Sequence, residues 1–337
     1  MNRSGGFLAG LVTGFVLAAA VFLGAVFGLL GTPTAASGAA APIIAAKRAL
    51  AAEPTQPKCV FLGGSSVDLG VSARHFEKLT QVPSRNLGLW VPLGLPFMLA
   101  QARGVLRAGD TLVLPCEFEL YDWPGRGRLW ADPQYLQVVF AEEAAYLRGL
   151  SAWEQFQLAL RLPLTWPLEA GFRATGKRHA KLARGPAPKN FNAWGDRTDN
   201  ARRPRASIPT MVGEPSPRLE EGFSDAPKGF PALADFLGWA RSNSVTVVAT
   251  FPNLARNAVH DLPPARDARE KVLQFYREHA VPFVGTFEEA VYPPEDCYDT
   301  VYHLFDDAVV RRTDRLAAQL RPYWPVPRTA ADGGAVR

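Results

Sequence analysis

Apolar and polar residues alternate along this chain in three successive regimes. From Phe7 to Gly31 the residues are Leu, Val, Phe, Ala, Gly and Thr without a single charge. As a helix at about 1.5 Å per residue this stretch can cross a hydrocarbon core of about 30 Å. It outruns the apolar region of a cleaved leader, which favours a retained anchor. Gly31 to Pro57 is then rich in Ala, Pro and Thr and reads as a tether. Beyond it, four short apolar runs predict buried strands at Cys59–Leu62, Thr111–Leu114, Val245–Thr250 and Val281–Val284. Helical periodicity fills the gaps at Leu95–Leu106, Phe230–Arg241 and Ala265–His279. A last helix opens near Asp306 and carries Val309, Thr313, Leu316 and Leu320 on one face. Strands alternating with helices predict an α/β fold, a three-layer doubly wound parallel sheet preceded by one transmembrane helix.

The expected boundaries are a cytoplasmic tip and anchor at 1–31, the tether at 32–57, an α/β domain at 58–327 and a flexible tail at 328–337. An insertion at about 162–224 breaks the rhythm, being rich in Pro, Gly and Arg. Between Gly171 and Thr210 ten Lys/Arg face two Asp, a local charge of +8 against +5 for the whole chain of 337 residues. That charge fits a solvated loop or a patch for anions or a membrane surface. No nucleic-acid module accompanies it, so no nucleic acid is expected as a partner. Within the insertion Asn190-Phe-Asn-Ala-Trp-Gly-Asp196 reads as a turn cluster or a loop closing over a site.

Three cysteines, Cys59, Cys116 and Cys297, are too few and too scattered for a disulfide framework, and their spacing fits no zinc site. The sequence gives no reason to place a metal or a cofactor. Arg3 precedes the apolar span and Lys47 and Arg48 follow at a distance, which puts the N-terminus in the cytoplasm and the bulk of the chain outside.

Candidate chemistry lies at the two ends of the domain. The first strand runs into Gly63-Gly64-Ser65-Ser66, a glycine-rich turn able to present a hydroxyl. Asp299-Thr-Val-Tyr-His303 precedes the last helix, offering a base with a carboxylate four residues before it. A carboxylate on Nδ1 leaves Nε2 free to activate a serine for acyl chemistry. The other histidines, His75, His179, His260 and His279, lack that company. Neither dinucleotide nor P-loop glycine patterns occur.

Leu62-Gly-Gly-Ser-Ser-Val-Asp-Leu-Gly70, Asn86-Leu-Gly-Leu89 and Asp299…His303-Leu304 together resemble the SGNH (GDSL-type) hydrolase superfamily, over about Cys59 to Tyr323. The likeness is to its membrane-anchored envelope branch, near proteins of alginate O-acetylation and teichoic-acid D-alanylation. The resemblance implies Ser65 as nucleophile, because Gly70 follows it by five residues, with His303 and Asp299 completing a triad. It implies an oxyanion hole from the Ser65 and Gly88 amides. Two features depart from the family. The strand at Thr111–Leu114 leads into Glu117 and Glu119 where an asparagine belongs, leaving Asn86, Asn192 or Asn253 as substitutes. The Asp-to-His spacing is four rather than three. The resemblance implies a periplasmic, membrane-anchored esterase or O-acyl (acetyl) transferase acting on a cell-envelope or exported polysaccharide. Its partners would be a carbohydrate polymer, an acyl donor and a membrane-bound acyltransferase. A non-catalytic envelope protein binding glycan or an assembly partner is the alternative, and the apolar Leu87–Leu99 stretch admits a lipid-directed esterase.

Overall fold

The computed structural model describes residues 3–35, 37–123, 133–175, 188–204, 207–208 and 211–324. The expected tail at 328–337 and residues 176–187, 205–206 and 209–210 of the basic tract lie outside them. The first elements are α1 (Arg3–Gly28), α2 (Ser37–Ala52), β1 (Cys59–Gly63), α3 (Ser65–Asp68), α4 (Ala73–Thr80), β2 (Ser84–Gly88), α5 (Leu95–Arg103), β3 (Thr111–Leu114) and α6 (Phe118–Tyr121). Next come α7 (Pro133–Glu142), α8 (Ala144–Gly149), α9 (Ala152–Ala159), α10 (Trp166–Ala174) and α11 (Pro217–Glu221). The chain continues with α12 (Gly229–Ser242), β4 (Thr246–Thr250), β5 (Leu254–Ala255), α13 (Pro263–Glu278), β6 (Phe283–Val284), α14 (Phe287–Ala290), β7 (Val291–Tyr292) and α15 (Asp306–Leu320). They form two compact units, Met1–Pro42 with Ala131–Pro186, and Ile43–Trp130 with Ala187–Arg337.

The larger unit is built on a five-stranded parallel sheet in the order β2-β1-β3-β4-β6. Side chains alternate across a strand, so Cys59, Phe61, Val113 and Val248 share one face and are completely buried there. They form a core with Phe76 of α4 and Leu316, Ala317 and Leu320 of α15. α5 and α12 pack on each other and against β1 and β4. The strand order reverses beside β1, between β2 and β3. In doubly wound sheets that switch point opens a crevice at the carboxyl ends of the strands. Ser65 follows β1 there, and Glu117 follows β3.

Two expectations need correction and a third is narrowed. The tether is for the most part a helix: α2 buries Ile43, Ile44, Lys47 and Ala51. Alanine is the best helix former, and the Ile43–Lys47–Ala51 spacing gives α2 an inward stripe. Ser84–Gly88, which has no apolar run, is the edge strand β2, with Ser84, Asn86, Leu87 and Gly88 buried. The segment Asn190–Asp196 is the turn cluster, closed by the Phe191–Arg197 bridge, and it lies against the sheet's edge, where Trp194 carbonyl accepts the Asn86 amide at 2.8 Å. Gly195 lies against the Asn86 carbonyl with a positive φ of 82°, a conformation that suits glycine. Asp196 accepts the Ala73 and Arg74 amides at 2.6 and 2.9 Å and so caps α4.

In the smaller unit, Gly6–Gly28 of α1 is 23 residues long and apolar enough to span a membrane. Residues just past its end pack on α7 and α10. Gly31 N–H donates to Phe140 carbonyl at 2.9 Å, and Ala35 N–H to Glu169 Oε1 at 2.6 Å.

Candidate active site

Ser65 is the first residue of α3 and is partly exposed, whereas Ser66 is fully buried with its hydroxyl on Pro115 carbonyl at 3.0 Å. Of the two serines, only Ser65 can meet a substrate. The turn that presents it is closed from beneath by Glu117. This completely buried carboxylate accepts the Gly64 amide at 2.8 Å and the Ser66 amide at 2.7 Å. A Cβ on Gly64 would stand 2.5 Å from Glu117 Oε1, so the glycine leaves room for the acid. Burial raises the Glu117 carboxyl pKa above its usual range, opposed by those amide hydrogen bonds. The completely buried Arg312 also feels its charge.

Glu117, at the position where the resemblance leads one to expect an asparagine, thus holds the Gly64–Ser66 turn rather than facing outward. Glu119, two residues on, accepts Ser216 Oγ at 2.5 Å and Tyr302 Oη at 2.9 Å. Burial raises its pKa too, and its charge adds to burial in raising that of Tyr302.

Asn86 and Asn253 are both buried and both already bonded. Asn86 Nδ2 donates to the Val67 and Val71 carbonyls at 2.9 and 2.8 Å. Its Oδ1 accepts the Gly88 amide at 2.9 Å. Gly88 therefore serves by close approach: a Cβ there would lie 2.3 Å from the Asp68 nitrogen. Its amide, expected in the oxyanion hole, is engaged. Asn253 Nδ2 bonds Tyr302 carbonyl at 2.5 Å, and its side chain lies where a Gly70 Cβ would be, at 2.1 Å. Asn192 sits in the edge segment, its Oδ1 accepting the Trp194 and Asp196 amides. The Ser65 amide, first in α3, has no intrahelical acceptor and is the donor best placed for an oxyanion.

The second end of the chain comes back to this turn. Leu304 N–H donates to Leu69 carbonyl at 3.1 Å, so the loop carrying His303 is tied to the last turn of α3. Asn253 ties the same loop through Tyr302. His303 Nδ1 lies 2.5 Å from Asp299 Oδ1. Asp296 is turned elsewhere, paired with Arg202 at 2.8 Å and Arg311 at 2.6 Å. The extra residue between Asp299 and His303 is absorbed in the loop, where His303 carbonyl accepts Tyr298 N–H and Cys297 bridges Leu304. Among the other described histidines, His75 pairs with Asp314, His279 bonds its own helix at Phe275 carbonyl, and His260 is buried against Phe287.

Beneath α3 lies a buried ionic group that no sequence motif announces. Lys47 Nζ contacts Asp68 Oδ1 at 2.5 Å and Gly88 carbonyl at 2.7 Å, and Arg197 reaches Asp68 Oδ2 at 3.0 Å. Phe191 carries both cations against its ring. The signal in the sequence is Lys47 itself, on the apolar stripe of α2. The Leu87–Leu99 stretch is core, with Leu89, Leu93, Leu95, Phe97 and Met98 buried. All three cysteines are buried and none is in a disulfide.

No known family model matches this chain, and no curated protein matches it either.

Proposed function

We propose that this chain is an SGNH-like serine O-acyl enzyme, an esterase or acetyltransferase of a cell-envelope or exported polysaccharide. In this reading α1 anchors it in the membrane and the α/β unit stands on the extracytoplasmic side, receiving acyl groups from a small donor or a membrane-bound acyltransferase. One observation carries the catalytic part: the Asp299–His303 pair rides on a loop hydrogen-bonded to the turn of α3 that begins with Ser65. The strand order, with Ser65 at the switch point, supports the fold assignment, and the likeness of the three sequence blocks supplies the substrate class.

The chemistry rests on the roles these groups can take. Asp299 holds the Nδ1 proton of His303, leaving Nε2 as base. His303 takes the Ser65 hydroxyl proton as Oγ attacks an ester carbonyl, and the Ser65 amide faces the developing oxyanion. Collapse expels the alcohol, which receives the proton from His303, and leaves an acyl-serine. Water then completes hydrolysis, or a sugar hydroxyl completes transfer.

A second reading has its own support. The Gly88 amide is occupied by Asn86, and Glu117 stands where an asparagine donor is expected, so oxyanion stabilisation rests on few groups. On that reading the fold binds glycan or an assembly partner without turnover. A fluorophosphonate probe separates the two. Labelling at Ser65, abolished in Ser65→Ala and in a folded His303→Ala, is the expected result. A folded wild-type protein that neither labels nor turns over acetyl esters would move the assignment to the binding role.

A further inference from the structure

We infer that the smaller unit rests on the lipid surface through an apolar face of α9 and α10, so that the chain holds the membrane with a platform as well as with a span. The inference rests on the proposed anchoring by α1.

Residues 152–174 are apolar on two sides. Leu158, Ala159, Leu162, Trp166 and Ala170 are buried and account for packing within the unit. Trp153 on α9 is 63% exposed, Leu160 and Leu164 in the turn joining the two helices 53% and 78%, and Leu168 and Phe172 on α10 64% and 55%. Single exposed leucines are ordinary on a protein surface. Five large apolar side chains gathered on two short helices and the turn between them are not, and they mark a contact with lipid or protein.

The position of α10 decides between those. Gly171 lies against Leu29, the residue next after α1, with 3.9 Å between an added Cβ and Leu29 Cδ1. Phe140 joins both: its ring centroid is 6.3 Å from Phe27 and 6.1 Å from Trp166. α10 is therefore fixed at the level where the apolar span ends, which in a bilayer is the headgroup boundary. The exposed apolar face of α1, from Phe7 through Val21 to Phe27, meets lipid if it spans. Exposed Leu168, a turn from Gly171, continues that surface sideways at the depth where amphipathic helices lie in the membrane plane. Charge agrees with this occupant. Arg161 and Arg173 flank the face. Basic residues at that depth favour anionic headgroups.

The test uses the full chain reconstituted in phosphatidylcholine vesicles containing phosphatidylglycerol. The native cysteines are buried, so an environment-sensitive dye attached to Leu164→Cys or Leu168→Cys reports those sites alone. Val16→Cys reports the span, and Leu79→Cys, 49% exposed on α4, reports a water-facing surface. Spin-labelled lipid should quench the dye at 164 and 168 severalfold more than at 79, while iodide quenches it less. If 16 is quenched by lipid but 164 and 168 behave like 79, the platform is wrong and the anchor stands. If 164 and 168 are shielded from both quenchers, protein covers the face and the lipid assignment is overturned. If 16 escapes lipid quenching, the anchor fails and the platform with it.

Discussion

The turn that carries Ser65 and the loop that carries His303 are held in different ways. The Ser65 turn is clamped on every side: Glu117 beneath, Gly88 against the Asp68 backbone, Asn253 over Gly70, and the Lys47–Asp68–Arg197 group below. The His303 loop is tied at its backbone through Asp299, Val301 and Leu304 and by the Asn253, Asn200 and Tyr302 side chains, but its carboxylate Asp299 is 34% exposed. Water screens such a pair and weakens its hold on the ring. A nucleophile must be presented at one angle, whereas a base need only reach it. In the proposed mechanism the turn would supply the nucleophile from a rigid frame, and the loop would supply the base.

The sharpest way to break this comparison is to separate the two properties. His303→Ala should reduce acyl turnover by about 10⁵-fold or more while leaving the melting temperature where it was, because no core cavity opens. Rate and thermal melting on the same preparation check both halves, and a marked loss of stability would place the loop in the core of the fold. Asp299→Asn should reduce turnover less, by about 10³ to 10⁴-fold, since an orienting carboxylate is worth less than the base it orients. Steady-state kinetics beside His303→Ala gives the order.

On the turn the signs reverse. Glu117→Ala strands the buried Gly64 and Ser66 amides at about 1–3 kcal/mol each, so denaturant unfolding should show a loss of about 3 kcal/mol. Gly88→Ala forces a methyl group onto the Asp68 backbone and should cost about 2 kcal/mol by the same measurement. A neutral outcome would mean that β2 and α3 separate easily.

The smallest effect sharpens the electrostatics. Burial raises the Glu119 pKa, so the folded state holds that proton more tightly than the unfolded chain. The stability it contributes is complete below the ordinary value of 4.5 and is lost as pH rises through the folded value. Glu119→Gln should flatten this decline on the alkaline side, read as melting temperature against pH for the two proteins.

The parts whose signal is local could be read without a structure. Runs such as Cys59–Leu62 and Thr111–Leu114 are apolar because both faces of a central parallel strand are covered, and that is visible without a structure. The amphipathic α15 and the Gly-Gly-Ser turn were legible for the same reason, and so was Asp299 beside His303. Tertiary structure decided everything that depends on a partner distant in the chain. β2 is polar in sequence and becomes a strand because β1 offers it a ladder from Cys59↔Ser84 to Gly63↔Gly88. Lys47 belongs to the interior only because Asp68 waits there, and Asn190–Asp196 lies against the sheet's edge only because Asn86 has an amide to give. Glu117 is the plainest case. The resemblance makes it a charge where an oxyanion-hole asparagine is expected, and only the folded turn, with its two amides, makes it the group that holds the Ser65 turn in place.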